Sequence, residues 1–479
     1  MPPRRPTPEG ARPIPPTHHD PTGGRAAAQR TARPPRLPET DRDVIRLAND
    51  PRFGRWLAQV TATGGCAHPV QLTGSTTTYD PATGEILRRY DTADEPGERL
   101  LVRCRNRRAT VCPACSRLHA GDTYHLVRAG LLGGKNVPAE VGQRPRLFAT
   151  LTAPSFGAVH RTTNGEPCRP RRAPRRCPHG RPVDCHATHT TDDPLAGQPL
   201  CPDCYDYPGH ILWHAHAGRL WKAFTDNLYH HLAADTGHTR AALRRSVRLS
   251  YAKVAEYQRR AAVHVHAVLR LDDRDGTQPP EGIDADTLAG CVRTAAAAVR
   301  LDTQHTAALG QRALRWGRQL DVRPLSTATV TDDAVAAYVA KYVSKGAADT
   351  GAGLDRRVTG PDDIAAARVT PHVRALMATC WRLGALPELA PLRLRAWAHT
   401  LGYRGHILTK SRAYSTTYAA LRDARAQHRR PQEEDAPHTV TEANWRYAGS
   451  GHTPGAALLA AGIAEDLARN RECAREAGE

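Results

Sequence analysis

Val263-His264-Val265-His266-Ala267-Val268-Leu269 is the stretch that decides the fold. It is apolar and β-branched, and Val263 to Leu271 reads as a strand. Side chains alternate along a strand, so His264 and His266 share one face and Val263, Val265 and Ala267 the other. Upstream, Val247 to Tyr257 alternates in the same way, and Arg259-Arg260-Ala261-Ala262 makes a short turn. Two strands so linked form an antiparallel hairpin. Glu256 and Gln258 then lie opposite the histidines. Two neutral imidazoles with a carboxylate or amide oxygen make a mixed N/O donor set with open positions. That set suits Mg²⁺ or Mn²⁺ engaging a phosphate better than a closed structural zinc site. Taken alone, a His-x-His pair in a chain with 24 histidines also fits a wet strand face.

Further elements gather around this hairpin. Arg146 to Pro154 reads as a strand ended by Pro-Ser, and Leu320 to Pro324 as a short one. Leu118–Leu132, Trp213–Leu232, residues 286–301 and Thr331–Lys345 carry helical patterns. Thr331-Asp332-Asp333 caps the last of these and Gly346 stops it. The fold class expected is α+β, a central antiparallel sheet with flanking helices.

The Thr331–Lys345 helix carries Tyr338-Val-Ala-Lys341-Tyr342-Val-Ser-Lys345. Tyr338 and Tyr342 are four apart and share a face. Each is followed three residues later by a lysine. Lysine occurs only six times in the chain, so placing two here is informative. A lysine beside a phenol favours phenolate or neutralises a phosphate under attack. An amphipathic helix with core tyrosines and solvated lysines would look the same.

Composition bounds the rest. The chain has 479 residues, 40% of them hydrophobic, enough to build a core. Its length suggests about three domains. A net charge of +19 favours a polyanionic partner, though an arginine-rich composition supplies part of that charge. No apolar run reaches the roughly 20 residues of a membrane span, and no secretory signal is visible. A cytoplasmic protein without membrane contact is therefore expected. No G-x-x-x-x-G-K-[ST] helicase motif occurs, so unwinding falls to a partner.

Twelve cysteines fall in closely spaced groups. Without an export signal, metal binding is the better reading than disulfides. Cys66, Cys104, Cys112 and Cys115 form one candidate zinc set. Cys177, Cys185, Cys201 and Cys204 form a second, with His179, His186 or His189 able to replace one of them. The second block has almost no aliphatic residues, so something other than a core must order it. Two structural zinc ions are expected. Leu401-Gly-Tyr-Arg-Gly-His-Ile-Leu-Thr-Lys-Ser-Arg412 mixes basic, aromatic and hydroxyl residues, and its Arg404, Lys410 and Arg412 are candidate DNA contacts.

The order of a Thr-Leu-Thr strand (Thr150-Leu151-Thr152), His264-Val-His266 and the two-tyrosine helix resembles the HUH endonucleases, and among them the rolling-circle replication initiators. More narrowly, the chain from about Cys66 resembles initiators of actinobacterial plasmids and integrative conjugative elements. Thr150-Leu-Thr-Ala-Pro-Ser-Phe-Gly157, Cys201-Pro-Asp-Cys-Tyr-Asp206 and Glu256-Tyr-Gln258 carry that likeness. One departure is Ala261, where the resemblance leads one to expect glycine after Arg260. The resemblance implies an HUH-type sheet, an active-site Mg²⁺ or Mn²⁺ on His264, His266 and Glu256 or Gln258, and catalysis by Tyr338 and Tyr342 with Lys341 and Lys345. It implies nicking and rejoining of single-stranded or melted origin DNA, with host helicase and polymerase as partners. A relaxase, an HUH transposase or a non-catalytic zinc-containing DNA-binding regulator are the alternatives. The expected organisation is a disordered Pro/Arg-rich tail (1–45), a Cys-rich zinc module (46–140) and an HUH nuclease domain (141–350) with a zinc-binding insertion at about 166–210. A basic DNA-binding region (351–430) and a linker with a C-terminal helix (431–479) complete it.

Overall fold

The computed structural model describes residues 37–429 and 439–477, apart from 277, 279, 326–331, 344–353 and 355. Two N-terminal helices, α1 (Glu39–Ala48) and α2 (Phe53–Ala62), lead into strands β1 (Val70–Tyr79), β2 (Ile86–Asp91) and β3 (Leu100–Val102). Helix α3 (Pro113–Leu132) and strand β4 (Arg146–Leu151) follow. After the cysteine-rich insertion come α4 (Tyr207–Ala215), α5 (Ala217–Asp235) and α6 (Arg240–Ser246). The hairpin is β5 (Val247–Tyr257) and β6 (Val263–Asp273). Then come α7 (Ala285–Ala298), β7 (Leu301–Asp302), β8 (Ala313–Leu314), β9 (Leu320–Pro324) and α8 (Asp332–Val343). The chain continues through α9 (Pro361–Ala365), α10 (Pro371–Leu383), β10 (Leu408–Lys410), α11 (Tyr418–Arg429), β11 (Val440–Ser450) and α12 (Pro454–Glu476).

The central sheet runs in the order β10-β5-β6-β4-β9, with every neighbouring pair antiparallel. The hairpin register sets Glu256 against His264 and Val254 against His266. Alternation then divides the sheet between two cores. Leu147, Ala149, Leu151, Val263, Val265 and Ala267 pack into the larger one, with Trp213, Leu220 and Phe224 of α4 and α5 and Leu288 of α7. Ala252, Val254 and Val268 face the other way, against Leu126 and Val127 of α3 and Val335 and Val339 of α8. The histidines thus share a face with the tyrosine helix.

The hairpin turn explains the departure at Ala261. Its backbone sits in the left-handed region with φ of 60°, and its N–H donates to the Gln258 carbonyl at 2.8 Å. Glycine adopts that conformation without penalty, and alanine accepts it at a cost of about 1–2 kcal/mol. Ala261 is fully buried, so its methyl recovers part of that cost by packing.

Three expected boundaries change. The N-terminal tail stops earlier than residue 45, because α1 begins at Glu39. The segment after residue 439 is no appendage: β11 pairs along the full length of β1, and Ala456 and Ala460 of α12 pack on Trp56 and Val60. Residues 370–403 do not form a separate basic region. Val373, Leu376, Cys380, Leu394 and Tyr403 complete the larger core. The single helix expected over Trp213–Leu232 is broken at His216, whose backbone (φ −101°, ψ 4°) leaves the helix between α4 and α5.

Buried charge ties the sheet to α3, where Arg270 donates to the Gly130 carbonyl. Arg144 and Arg270 both bond the Asp272 carboxylate, at 2.6 and 2.7 Å, and Ser250 Oγ adds a third bond. All three charged side chains are essentially inaccessible. Asp272→Ala would leave two guanidinium groups buried without their partner, a change that costs about 3–5 kcal/mol. A denaturant midpoint equal to wild type would contradict this.

A row of buried histidines makes the fold acid-sensitive. His214 accepts the Val263 N–H at its Nε2 (3.1 Å) and donates from Nδ1 to the Leu401 carbonyl (2.9 Å), so it is held neutral. Burial pushes His214 and His372 down to about 4. A depressed imidazole leaves the unfolded state binding more protons between pH 6.5 and 4. Stability is therefore complete above about pH 6.5 and falls as the pH drops, by about 3 kcal/mol per histidine at pH 4. Unfolding followed from pH 7 to 4.5 should show a steadily falling midpoint, and a flat profile would contradict the assignment.

Candidate active site and metal centres

The open face of the sheet brings the sequence-predicted residues together. His266 is buried at the centre. Its Nδ1 lies 3.0 Å from Thr150 Oγ1 on β4, and its Nε2 lies 3.0 Å from Glu256 Oε2 on β5. The ring of His264 is 6.1 Å from that of His266. Burial pushes His264 down to about 3, with the neighbouring His266 and Arg260 adding to the effect, so it is a neutral donor. Gln258, the other candidate oxygen ligand, is turned differently: its Oε1 accepts from Arg260 Nε at 2.9 Å.

Helix α8 lays both tyrosines on this centre. The ring of Tyr338 stands edge-on to His266 at 5.3 Å, and the ring of Tyr342 stacks on it at 5.4 Å. The two phenol rings are 4.7 Å apart. Phe148 also stacks on His266, at 6.0 Å, and meets Tyr338 edge-on. Tyr338 is 38% exposed and borders a cavity of about 250 Å³ shared with Thr150, Asp321 and Arg323. Its phenol is pushed well above the usual range by burial first, and then by its contact with Tyr342. It is therefore protonated at neutral pH and must lose that proton to act as a nucleophile. Lys341 lies on the same helix, and Lys345 falls outside the described residues.

The helix is held at both ends. Arg146 bonds Asp332 at 3.0 Å, and Arg128 and Tyr124 of α3 bond Asp333 at 2.6 and 2.8 Å. At the other end Arg107 donates to the Val343 carbonyl at 3.1 Å, meeting the negative end of the helix dipole. Arg107 belongs to the first cysteine module. Its role had no signature in the sequence, because an arginine reaching across 236 positions leaves no local pattern.

Among the described residues, three groups of four donors lie close enough to hold a metal ion. The first is Cys66, Cys104, Cys112 and Cys115, the set read from sequence. Cys66 Sγ lies 3.8 Å from Cys112 Sγ and 3.6 Å from Cys115 Sγ. These match the edge of a tetrahedron with Zn–S bonds of about 2.3 Å. Backbone N–H groups of Ala67, Cys104 and Asn106 donate to the sulfurs, as thiolates require. The second group is Cys177, His179, Cys201 and Cys204. Here the expected ligand set divides: His179, 3.2 Å from Cys204 Sγ, takes the fourth place instead of Cys185. Cys185 belongs to a third group with His160, Cys168 and His189. His264, His266 and Glu256 are not one of these convergent groups.

The C-terminal basic residues divide as well. Lys410 is turned inward, its ammonium donating to the carbonyls of Ser411, Arg412 and Ser415, which uses all its protons. Arg404 and Arg412 are exposed.

The family model described as RepSA, replication initiator protein, pSAM2, matches residues 52–465. The chain belongs to this family. The RepSA match runs from α2 into α12, so it takes in the first cysteine module, the central sheet, the tyrosine helix and β11. A replication initiator protein of Streptomyces ambofaciens is 47% identical over 459 residues, covering 92% of this chain and 96% of that protein. No solved structure matches the chain. Among the described residues, no helix is long and apolar enough to cross a membrane.

Proposed function

We propose that this RepSA-family replication initiator binds single-stranded or melted origin DNA and nicks and rejoins it in the HUH manner, for rolling-circle replication. The observation that carries this reading is the packing of both Tyr338 and Tyr342 on His266, on the sheet face that also bears His264 and Glu256. A phenol oxygen of one tyrosine attacks the scissile phosphorus. The Oη–P bond forms and the P–O3′ bond breaks. The phenolic proton leaves and the 3′ oxygen takes one up. The products are a 5′-phosphotyrosine and a free 3′ hydroxyl, and no energy-rich cofactor is consumed because one phosphodiester replaces another. A second tyrosine on the same helical face gives a nucleophile for the rejoining transfer. The free hydroxyl primes a host polymerase, and a host helicase separates the strands.

The chemistry of the donors, two imidazoles and a carboxylate, suits a divalent ion, although their atoms do not converge as those of the cysteine groups do. The Nε2 of His266 and the Oε2 of Glu256 already approach to 3.0 Å, and the buried neutral His264 shares their face. His264, His266 and Glu256 would hold Mg²⁺ or Mn²⁺, which supplies Lewis-acid stabilisation of charge on a phosphate oxygen. Thr150 and Phe148 hold the His266 ring against the tyrosines. Lys341 lies one residue from Tyr342 and is suited to neutralising phosphate charge.

The test is incubation of the full-length protein with single-stranded origin DNA and Mn²⁺. A DNA–protein adduct that survives denaturation is expected, and brief EDTA treatment, which leaves tightly held zinc in place, should abolish it while DNA binding persists. Cleavage that continues at full rate in EDTA would contradict the metal assignment.

A further inference from the structure

Where the ends of β4, β5 and β9 meet the cysteine-rich insertion, the surface opens into a groove of about 920 Å³. Arg161, Arg169, Arg259, Arg260, Arg315 and Arg318 line it, and no carboxylate does. Another surface groove, near α1, mixes Asp43 and Asp50 with Arg46, so a single sign of charge is not a general property of this surface. Thr152 and Gln258 also line the groove. These lie just past the ends of β4 and β5, two residues on from Thr150 and Glu256, so the groove adjoins the tyrosine–histidine centre.

One wall of the groove is the chain around His160, Arg161 and Arg169. It has little apolar packing, and short backbone bridges tie it back: Arg169 pairs with Cys185 and Val159 with Pro199. At the base of this wall sit His160, Cys168, Cys185 and His189, with their donor atoms all within 4.8 Å of one another. His160 Nδ1 and Cys185 Sγ approach His189 Nε2 to 3.1 and 3.3 Å. The N–H of Arg161 donates to Cys168 Sγ at 3.1 Å. The remaining nitrogen of His189 bonds Asp193 Oδ2 at 2.6 Å, the carboxylate–histidine arrangement that orients an imidazole toward a metal. Cys168 is fully buried and His189 nearly so, and the cysteines are not disulfide-bonded.

We propose that His160, Cys168, Cys185 and His189 bind a zinc ion that holds the arginine-lined wall in place, and that the groove receives the single-stranded DNA flanking the reacting phosphate. The second half rests on the reading that the adjoining site acts on DNA. Two imidazoles and two thiolates complete a closed tetrahedral site, which is structural and not catalytic. The wall arginines are braced by the same loop: Arg161 donates to the Cys168 carbonyl and Arg169 to the Val159 carbonyl. Each has further N–H groups left for phosphate. Without the ion, the loop bearing these arginines has no core to order it, and the groove loses one side.

The experiment uses full-length protein carrying Tyr338→Phe/Tyr342→Phe, so that binding is read without cleavage. Metal content by mass spectrometry should give three zinc ions per chain, one for each donor group. Cys168→Ser should lower this to two and weaken binding of a mixed-sequence single-stranded oligonucleotide by about tenfold or more. Arg315→Gln/Arg318→Gln should keep three ions, weaken binding, and reduce the slope of log affinity against log salt by about 0.7 per lost phosphate contact. The proposal is overturned if Cys168→Ser keeps all three ions, or if affinity is unchanged in either variant. Should Cys168→Ser not fold, the metal count of the parent protein and the arginine variant decide. An absence of nicking by the wild-type protein counts against the nicking reading alone, because neither readout here depends on cleavage.

Discussion

Tyr338→Phe/Tyr342→Phe is expected to form no covalent adduct with single-stranded origin DNA, a loss of about 10⁴-fold or more in nicking rate. The change removes two phenol oxygens and nothing else. The ring contacts with His266 and Phe148 are kept, so the α8 interface and the folded state should survive. Each single variant keeps one nucleophile within reach of the same histidine. Either should still react once, with rejoining impaired because the alternate tyrosine is gone. Adduct formation on a denaturing gel, with circular dichroism as the folding control, checks both statements.

Cys112→Ala/Cys115→Ala is the second large effect. It removes two of four convergent sulfurs at the start of α3. A structural zinc ion contributes about 10–16 kcal/mol of apparent binding energy, comparable with the whole stability of a domain at about 5–15 kcal/mol. The module built on β1, β3, β11 and α12 has only a small apolar cluster around Trp56, Val60, Ala456 and Ala460. It should therefore unfold. Arg107 would release the Val343 carbonyl, and α8 would lose its restraint at the end nearer Tyr342. Limited proteolysis should then cut within residues 60–110, and metal content should fall by one ion. Nicking should drop even though no residue of the histidine–tyrosine centre has changed. A protease pattern identical to wild type would sink this account of the module.

The hairpin was readable because alternation is a local signal. β5 spans the residues its pattern marked out, and β6 starts at Val263 and runs two residues further than expected. A strand period of two puts His264 and His266 on one face and a helix spacing of four does the same for Tyr338 and Tyr342, but only the resemblance implied that the two pairs meet. The first cysteine set was legible because its thiolates are the only cysteines of that region. The second was not, because the insertion offers more donors than one tetrahedral ion takes, and spacing cannot say which donors meet. The sorting of Cys185 away from Cys177 depends on the antiparallel bridge between Arg169 and Cys185, a non-local pairing. The same limit hid β1 and β11. Val440–Ser450 is polar along most of its length and pairs with a strand some 370 positions earlier. Such an edge pairing owes its stability to backbone hydrogen bonds, which no composition reveals. Lys410 was misread for a different reason. Its ammonium closes a turn of carbonyls, and a basic residue in a glycine-rich loop looks the same whether it faces solvent or its own backbone.

The measurement that bears most directly on the nicking reading is identification of the residue that carries the nucleotide. Wild-type protein incubated with single-stranded origin DNA and Mn²⁺ is digested with protease and nuclease, and the modified peptide is sequenced by mass spectrometry. A nucleotide attached through a 5′ phosphate to Tyr338 or Tyr342 is the predicted result. An adduct on any other residue, or cleavage that leaves no adduct at all, would contradict it.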